Sequence, residues 1–196
     1  FLMILPFALW GTSMAAMTPL VSSGGPEFVA FLRLFPAGIL VLITTYLLKR
    51  DLKIYRCDLK WFVVFTIVDA TFFQLFLTYG ISETGAGLGS VLIDSQPLIV
   101  ALLARAIFGN LINPIGWLGL LFGLGGIIFL GFPQEFLENW WLMSDTSLGD
   151  INFNVGEAWM LAAALSMALG TILIRLTCTK SDPVSVTGWH MVFGSL

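Results

Sequence analysis

The stretch GAGLGSVLIDSQPLIVALLARAIF, residues 85–108, decides the fold class of this chain. A helix needs about 20 mostly apolar residues to cross the hydrocarbon core of a bilayer, and this run is long enough. A carboxylate, a hydroxyl, an amide and a proline stand together inside it, at Asp94, Ser95, Gln96 and Pro97. Ionisable groups so deep in a membrane are costly and usually functional. The stretch therefore predicts a membrane-spanning helix with a polar centre.

The composition of the whole chain supports the same fold class. Of the 196 residues, 58% are hydrophobic and only 11% are charged, and the mean hydropathy is +0.94. A soluble domain carries about 25% charged residues. Apolar runs recur at residues 1–21, 28–48, 61–81, 85–108, 115–132 and 158–176, and another begins near residue 184. We predict an all-α integral membrane protein, a helical bundle with six complete spans and part of a seventh. Both ends lie inside apolar runs, so we expect a truncated chain.

The placement of charge predicts the topology. If the spans alternate, one side receives nearly all basic residues, among them Lys49, Arg50, Lys53, Arg56, Lys60, Arg175 and Lys180. The loops of the other side carry acidic residues and no basic one, and account for the net charge of −3. Cytoplasmic loops are enriched in Lys and Arg. We therefore expect the N-terminal side of the first span in the cytoplasm and the acidic loop 133–157 outside.

Motifs of soluble enzymes and of nucleic-acid binding are missing from the sequence. Gly123, Gly125 and Gly126 resemble part of a dinucleotide fingerprint, but Ile128 stands where the third glycine belongs. A single histidine, His190, makes no His-based metal cluster, and the two cysteines are isolated. We expect no enzyme activity, no cofactor, no metal site and no nucleic-acid partner.

Small residues predict how the helices pack. Gly116, Gly119, Gly123 and Gly126 follow a 3-4-3 spacing and form one stripe along the fifth span. Small residues let helix backbones approach closely where hydrophobicity cannot drive association in lipid. The sequence therefore predicts a tight helix interface along this stripe.

The chain also matches itself weakly. Gly11-Thr12 aligns with Gly170-Thr171, the segment 26–29 aligns with 183–186, and Arg33 then falls opposite His190. The shift carries the first span onto the sixth, so five spans separate the two copies. An odd number makes the second copy cross the membrane in the opposite direction, which is the inverted-repeat plan of many secondary transporters.

Several motifs resemble a known family. The stretches LWGT at residues 9–12, FLRLFPA at 31–37 and PL at 97–98 resemble the first EamA domain of the drug/metabolite transporter superfamily. The string LIDSQP at residues 92–97 resembles its cyanobacterial and plastid branch. The resemblance implies inverted five-helix repeats, ten spans in a complete protein. Residues 1–132 would form the first repeat, 133–157 an acidic extracytoplasmic loop, and 158–196 the start of a truncated second repeat.

One departure from the family pattern concerns the cytoplasmic end of the fourth span. Members usually carry a Gly-Glu pair there, and this chain reads Gly109-Asn110. Any role that the family assigns to that glutamate is therefore in doubt in this chain.

The candidate site residues are the polar groups of the spans. At about 1.5 Å per residue, Arg33 lies roughly 9 Å, Asp94 about 13 Å and Asp69 about 18 Å from the outer face. Neighbouring layers on three spans allow an ion pair or relay. Gln96 and Ser95 add hydrogen-bonding groups beside Asp94, and Pro97 breaks the helix by freeing a carbonyl one turn earlier. His190 would lie about 9 Å from the inner face.

Each of these groups also has a structural interpretation. The carboxylates can act as hydrogen-bonding glue between helices, Arg33 can reach the interface along its aliphatic stem, and His190 can be a packing residue.

The resemblance implies a secondary transporter of a small organic metabolite, with export as the expected direction, working by alternating access between the repeats. The alternative is a membrane structural or assembly protein without transport, or an inactive half-carrier fragment. The expected partners are the lipid bilayer and a small-molecule solute, with proton coupling and a homodimer left open. The expected location is a cyanobacterial-like cell membrane or a plastid membrane.

Overall fold

The computed structural model describes residues 4–109, 111–131 and 154–196. These residues form helices and short connections and contain no strand, which confirms the all-helical fold class. The elements in chain order are α1 Leu5–Gly24, α2 Pro26–Leu47, α3 Leu59–Phe65, a π-helical segment Thr66–Phe72, α4 Phe73–Ile93, α5 Gln96–Phe108, α6 Pro114–Gly131, α7 Val155–Thr177 and α8 Pro183–Gly194. Most of the expected acidic loop, together with Asn110, lies outside the described residues.

Three stretches are long and apolar enough to cross a membrane. They are α2, the helical stretch Leu59–Ile93, and α7. The helices Gln96–Phe108 and Pro114–Gly126 are apolar but shorter. The first expected span corresponds to α1, a single helix of 20 residues. Its apolar sequence also contains hydroxyl side chains, such as those of Thr12, Thr18 and Ser22. Every expected span therefore coincides with helix, but only these three meet both requirements in the described part of the chain.

The run that contains Asp94 is not one continuous helix. Gly85 has φ 75° and ψ 173°, a backbone conformation that favours glycine, and it divides α4 into two helical parts. A two-residue turn at Asp94 and Ser95 then separates α4 from α5. Pro97 follows at once, and it has no N–H to donate to the carbonyl oxygen of Ile93. The chain is thus broken where the sequence places its polar centre.

The core lies where α7 packs along α4, with α1 completing one side. Its fully buried side chains come from these three helices and include Met14, Leu77, Ile81, Met160, Ala163 and Ala164. Met160 lies against both parts of α4, at Gly80 and at Gly89. A second close contact joins α2 to α8, where a Cβ added at Gly38 would lie 2.8 Å from Val192. These glycines allow the backbones to approach.

Among the described residues, little lies against the glycines of the fifth span, so the expected interface along them stays a prediction. A Cβ added at Gly119 or Gly126 would meet nothing within 4 Å, and at Gly123 it would only touch Leu98 at 3.3 Å. At Gly116 its nearest neighbours are Asn113 and Ile112, in the segment just before the helix. The reason is that α6 lies at the edge of the described bundle, with most of its side chains exposed. Spacing identifies a smooth face, but not what lies against it.

Two connections meet on the side that carries the basic residues, and we call this contact the clasp: residues 50–58 against residues 178–182. The carboxylate of Asp58 is 1% exposed. It accepts hydrogen bonds from the backbone N–H groups of Lys180 and Ser181 at 3.0 and 2.8 Å, from the Ser181 hydroxyl at 2.8 Å, and from the Thr179 hydroxyl. Arg50 forms an ion pair of 2.9 Å with Asp182. The clasp joins the connection after α2 to the connection before α8.

Candidate functional site

An open cavity of about 430 Å³ lies between α1, α2, α3, the π-helical segment, α4, α7 and α8. The residues that line it are mostly apolar or aromatic, including Trp10, Phe65, Phe73, Met167 and Met191. Its lining contains three charged or titratable side chains, Arg33, Asp69 and His190. An apolar cavity with a few convergent polar groups is the usual form of a small-molecule site.

Asp69 and His190 lie next to each other at the wall of this cavity. Nδ1 of His190 lies 2.6 Å from the carbonyl oxygen of Thr187. Because a carbonyl oxygen can only accept, Nδ1 carries a proton and donates it. Nε2 lies 3.2 Å from Oδ2 of Asp69, and the two side chains are 7% and 22% exposed. A hydrogen bond across this gap needs one further proton, held either by Nε2 or by the carboxyl group. Such a hydrogen bond would hold a single proton between the two side chains.

The local structure of two helices fixes the position of Asp69. The residue lies within the π-helical segment, and such segments in helices occur frequently at functional sites. Its carboxylate occupies the space beside Gly170 of α7, where a Cβ on residue 170 would overlap it. On the other side of the pair, the Phe65 ring stacks on the His190 ring with centroids 4.4 Å apart. A glycine and an aromatic ring thus hold the two partners in place.

Arg33 enters the cavity from α2 and is partly buried. Its Nη1 lies 3.0 Å from the sulfur of Met17 and 3.5 Å from Oε1 of Gln74, and its guanidinium lies 4.9 Å from the centre of the Trp10 ring. All three contacts are to neutral groups. Within the described residues, no carboxylate forms an ion pair with Arg33. The structure therefore places this arginine in the cavity.

The residues around Asp94 occupy a different place. Asp94 is exposed, does not line the cavity and makes no side-chain hydrogen bond to any other described residue. The expected grouping of Asp94 with Asp69 and Arg33 is therefore not found, and the partner of Asp69 is His190. Depth along a helix fixes the layer of a residue, but the direction in which it points depends on breaks and packing that the depth estimate ignores.

The neighbours of Asp94 lie closer to the bundle. The Ser95 hydroxyl is buried without a hydrogen-bond partner among the described residues. The amide of Gln96 donates to the hydroxyl of Thr171 at 3.1 Å, and Thr171 lines the cavity. The broken span therefore touches the cavity wall through Gln96.

Several residues that line the cavity were not predicted from the sequence as site residues. Gln74 and Thr187 are ordinary polar residues in apolar helices, and only their contacts with Arg33 and His190 give them a role. Gly170 is part of the internal Gly-Thr repeat. Nothing in the sequence indicates that the missing side chain leaves room for the carboxylate of Asp69. Among the described residues, no three His, Cys, Asp or Glu side chains lie close enough together to hold a metal ion.

Comparison with known proteins places this architecture in a family. Residues 1–132 match the EamA-like transporter family. The chain is 48% identical over 197 aligned positions to the uncharacterized transporter sll0355 of Synechocystis sp., covering 99% of this chain and 60% of that protein. It is 46% identical to the WAT1-related protein At3g02690, chloroplastic, of Arabidopsis thaliana, covering 99% of this chain and 45% of that protein.

A more distant relative is the uncharacterized transporter YoaV of Bacillus subtilis, 24% identical over 96% of this chain and 61% of that protein. This chain thus spans about half to three fifths of the length of these relatives. No solved structure matches it significantly. Because the family match covers about two thirds of the chain and the closely similar relatives are cyanobacterial and plastid proteins, this multi-pass membrane chain belongs to the EamA-like transporter family, in the cyanobacterial and plastid branch of the drug/metabolite transporter superfamily.

Proposed function

We propose that the protein is a secondary transporter that binds a small organic metabolite in the central cavity and exports it by alternating access. The observation that supports this most directly is the cavity itself. It lies between the helices of the bundle and is lined by Arg33, Asp69 and His190. Charged groups in such a position are expensive and mark substrate or ion pathways.

The origin of the cavity walls supports the proposal. Helices α1 and α2 open the first repeat of the sequence, and α7 and α8 correspond to them in the second. Arg33 and His190, which fall opposite each other in the internal alignment, both line the cavity. In carriers built from inverted repeats, the substrate site lies near the midplane at the interface of the repeats. A cavity shared by equivalent helices is in keeping with that arrangement.

We further propose that transport is coupled to protons through the Asp69–His190 pair. The pair shares one proton, and its two partners come from different repeats, on the π-helical segment and on α8. A movement of one repeat against the other would change the distance of 3.2 Å between Asp69 and His190, and therefore how strongly the pair holds the proton. Asp94, Ser95 and Gln96 contribute in this proposal through the broken span, where Gln96 contacts Thr171.

The test is solute counterflow by the full-length protein in proteoliposomes, with a panel of radiolabelled amino acids, organic acids and amines. Asp69→Asn is compared with Glu83→Gln, which changes an exposed carboxylate outside the cavity. We expect Asp69→Asn to lower flux and its pH dependence and Glu83→Gln to leave both unchanged. If no solute is moved and Asp69→Asn only lowers stability in detergent, the protein is a structural or assembly component and the transport proposal is wrong.

For the location we propose a cyanobacterial-like cell membrane or a plastid membrane, with the N-terminal side of α1 and the clasp in the cytoplasm or its plastid equivalent. The support is the collection of Lys49, Arg50, Lys53, Arg56 and Lys60 in one connection. On the opposite side, the helices carry acidic residues near the connections, such as Glu27 in the first turn of α2 and Glu83 just before the break at Gly85.

A further inference from the structure

We infer that the cavity takes its solute as a small organic anion with one carboxylate, together with one proton: Arg33 binds the carboxylate and the Asp69–His190 pair holds the proton. This inference rests on the proposed function, because it names the charge of the solute and the source of the coupling in the same cavity.

The first step concerns Arg33. An arginine stays charged under all physiological conditions, and its planar guanidinium presents donors that match the two oxygens of a carboxylate. Its contacts are a sulfur, a neutral amide and the face of Trp10, so its positive charge is not offset by a contacting carboxylate in the described part of the chain. A solute carboxylate would supply that opposite charge, and the apolar and aromatic side chains of the cavity would contact the remainder of the solute.

The second step is a count of protons and charges. Because Nδ1 of His190 donates to a carbonyl, only the proton between Nε2 and Asp69 can be gained or lost without breaking that bond. With this proton present the pair has no net charge, whether it is an ion pair or two neutral groups. Without it the pair is negative. The three side chains Arg33, Asp69 and His190 therefore carry a net charge of +1 with the proton bound and zero without it.

The third step is the coupling of the two events. A positive cavity attracts a carboxylate, and a bound carboxylate favours the protonated pair, so the proton and the anion strengthen each other's binding by the same factor. A cation gains nothing from this site, since Arg33 repels it. A neutral solute binds without regard to the proton.

Other charged or titratable groups on the packed helices do not enter this count. None of them lines the cavity, and α1 and α8 contribute no further ones. They are Glu27 and Tyr46 on α2, Lys60 on α3, Tyr79 and Glu83 on α4, Arg105 on α5, and Glu157 and Arg175 on α7. Tyr79 donates to Glu27 at 3.1 Å, so these two already form a pair.

The test uses three probes of one shape and different charge: benzoate, benzamide and benzylamine. Their binding to the full-length protein in detergent is measured by equilibrium dialysis at about pH 6 and about pH 8, across the range in which histidine changes charge. Carboxylic acids remain ionised throughout this range. We expect benzoate to bind about tenfold more tightly at the lower pH, and benzamide to bind weakly with no pH dependence.

Four variants separate the roles. Arg33→Gln should weaken benzoate by about tenfold or more, to the level of benzamide, whereas Arg33→Lys should keep part of the preference. His190→Gln removes the imidazole that shares the proton, so the pH dependence of benzoate binding should be lost. The double variant Asp69→Asn with His190→Gln leaves Arg33 unopposed, so benzoate should bind tightly at both. Arg105→Gln, a change outside the cavity, is the control and should match the wild type.

The inference is overturned if benzamide or benzylamine binds as well as benzoate, if benzoate does not bind at about millimolar concentration, or if the double variant keeps the pH dependence. Counterflow then separates the two proposals. Flux of an amine or a neutral solute without preference for acids overturns the anion and keeps the transporter, whereas binding of benzoate without flux of any solute overturns the transporter.

Discussion

Gly170 is the residue on which the position of Asp69 depends. The carboxylate of Asp69 lies in the space that any larger side chain at position 170 would fill. We expect Gly170→Ala to push Asp69 away from His190, to break their contact of 3.2 Å and to lower flux about tenfold or more. Forcing a methyl group into a filled interior also destabilises a protein by about 1–3 kcal/mol. Flux in proteoliposomes and thermal unfolding in detergent measure the two effects.

Gly119→Ala is the matched control, because a Cβ at Gly119 meets nothing within 4 Å among the described residues. It should leave flux unchanged. If Gly170→Ala retained wild-type flux at lowered stability, the glycine would serve packing alone and the position of Asp69 would not matter to transport.

Three of the site candidates could be chosen from the sequence because a charged residue inside an apolar run has few structural uses. Arg33, Asp69 and His190 all reach the cavity. Asp94 was chosen by the same rule and lies elsewhere. The depth estimate assumes that the helix turns by the same angle at every residue. The π-helical segment and the turn at Asp94 change that angle, and therefore change the direction in which the side chains point. The type of residue and its position in an apolar run do not indicate such changes in the helix.

The clasp between the two connections depends on the buried carboxylate of Asp58. Burial of Asp58 acts to raise its pKa, but the hydrogen bonds from Thr179, Lys180 and Ser181 outweigh it and hold the pKa well below its usual range. A lowered pKa means that the folded protein binds the proton less readily than the unfolded chain does. The resulting stabilisation is present above about pH 4, the ordinary value for Asp, and is lost as the pH falls below it.

We therefore expect Asp58→Asn to lower the free energy of unfolding by about 1–3 kcal/mol at neutral pH, because an amide cannot accept the same set of hydrogen bonds. The difference between variant and wild type should persist down to about pH 4 and shrink at lower pH. Thermal unfolding in detergent across this range measures it. Glu83→Gln, at an exposed carboxylate outside the clasp, is the control. Equal stability of Asp58→Asn and wild type would show that the clasp does not depend on this charge.

The elements themselves were easier to predict than their partners. Apolar runs locate the helices. Gly85 and Pro97 locate breaks between helical parts, because each residue constrains its own backbone in any fold. The clasp joins residues more than a hundred positions apart, and nothing in the local sequence of either connection indicates the other. The glycines of α6 show the reverse case, a strong local pattern whose expected contact is not found in the described bundle.

At the scale of the whole molecule, the orientation can be tested with a native cysteine. Cys57 is exposed and lies in the basic connection. If that connection is cytoplasmic, a membrane-impermeant maleimide should label Cys57 in inside-out vesicles and leave it unlabelled in right-side-out vesicles. A Glu83→Cys variant that also carries Cys57→Ser should give the opposite pattern. Labelling of Cys57 from the outside would reverse the orientation proposed from the charges.

The second cysteine reports on whether the molecule opens at the clasp. Cys178 directly follows the end of α7 and is partly buried within the clasp. Burial and the negative charges of Asp58 and Asp182 raise the pKa of its thiol. Since the thiolate is the reactive form, maleimide should label Cys178 slowly at neutral pH while the clasp is closed.

The proposed alternating access would require contacts between the two repeats to separate on one side at a time, and the clasp joins segments that the proposal assigns to different repeats. In a Cys57→Ser background, we expect Asp58→Asn to speed the labelling of Cys178 by about tenfold or more, because opening removes burial as well as charge. Arg50→Gln, which breaks an exposed ion pair, should have a much smaller effect. Rates measured towards high pH, where every accessible thiol is ionised, isolate the change in access from the change in pKa. A high-pH rate unaltered by Asp58→Asn would mean that these connections stay together without the buried carboxylate, and that the molecule opens elsewhere.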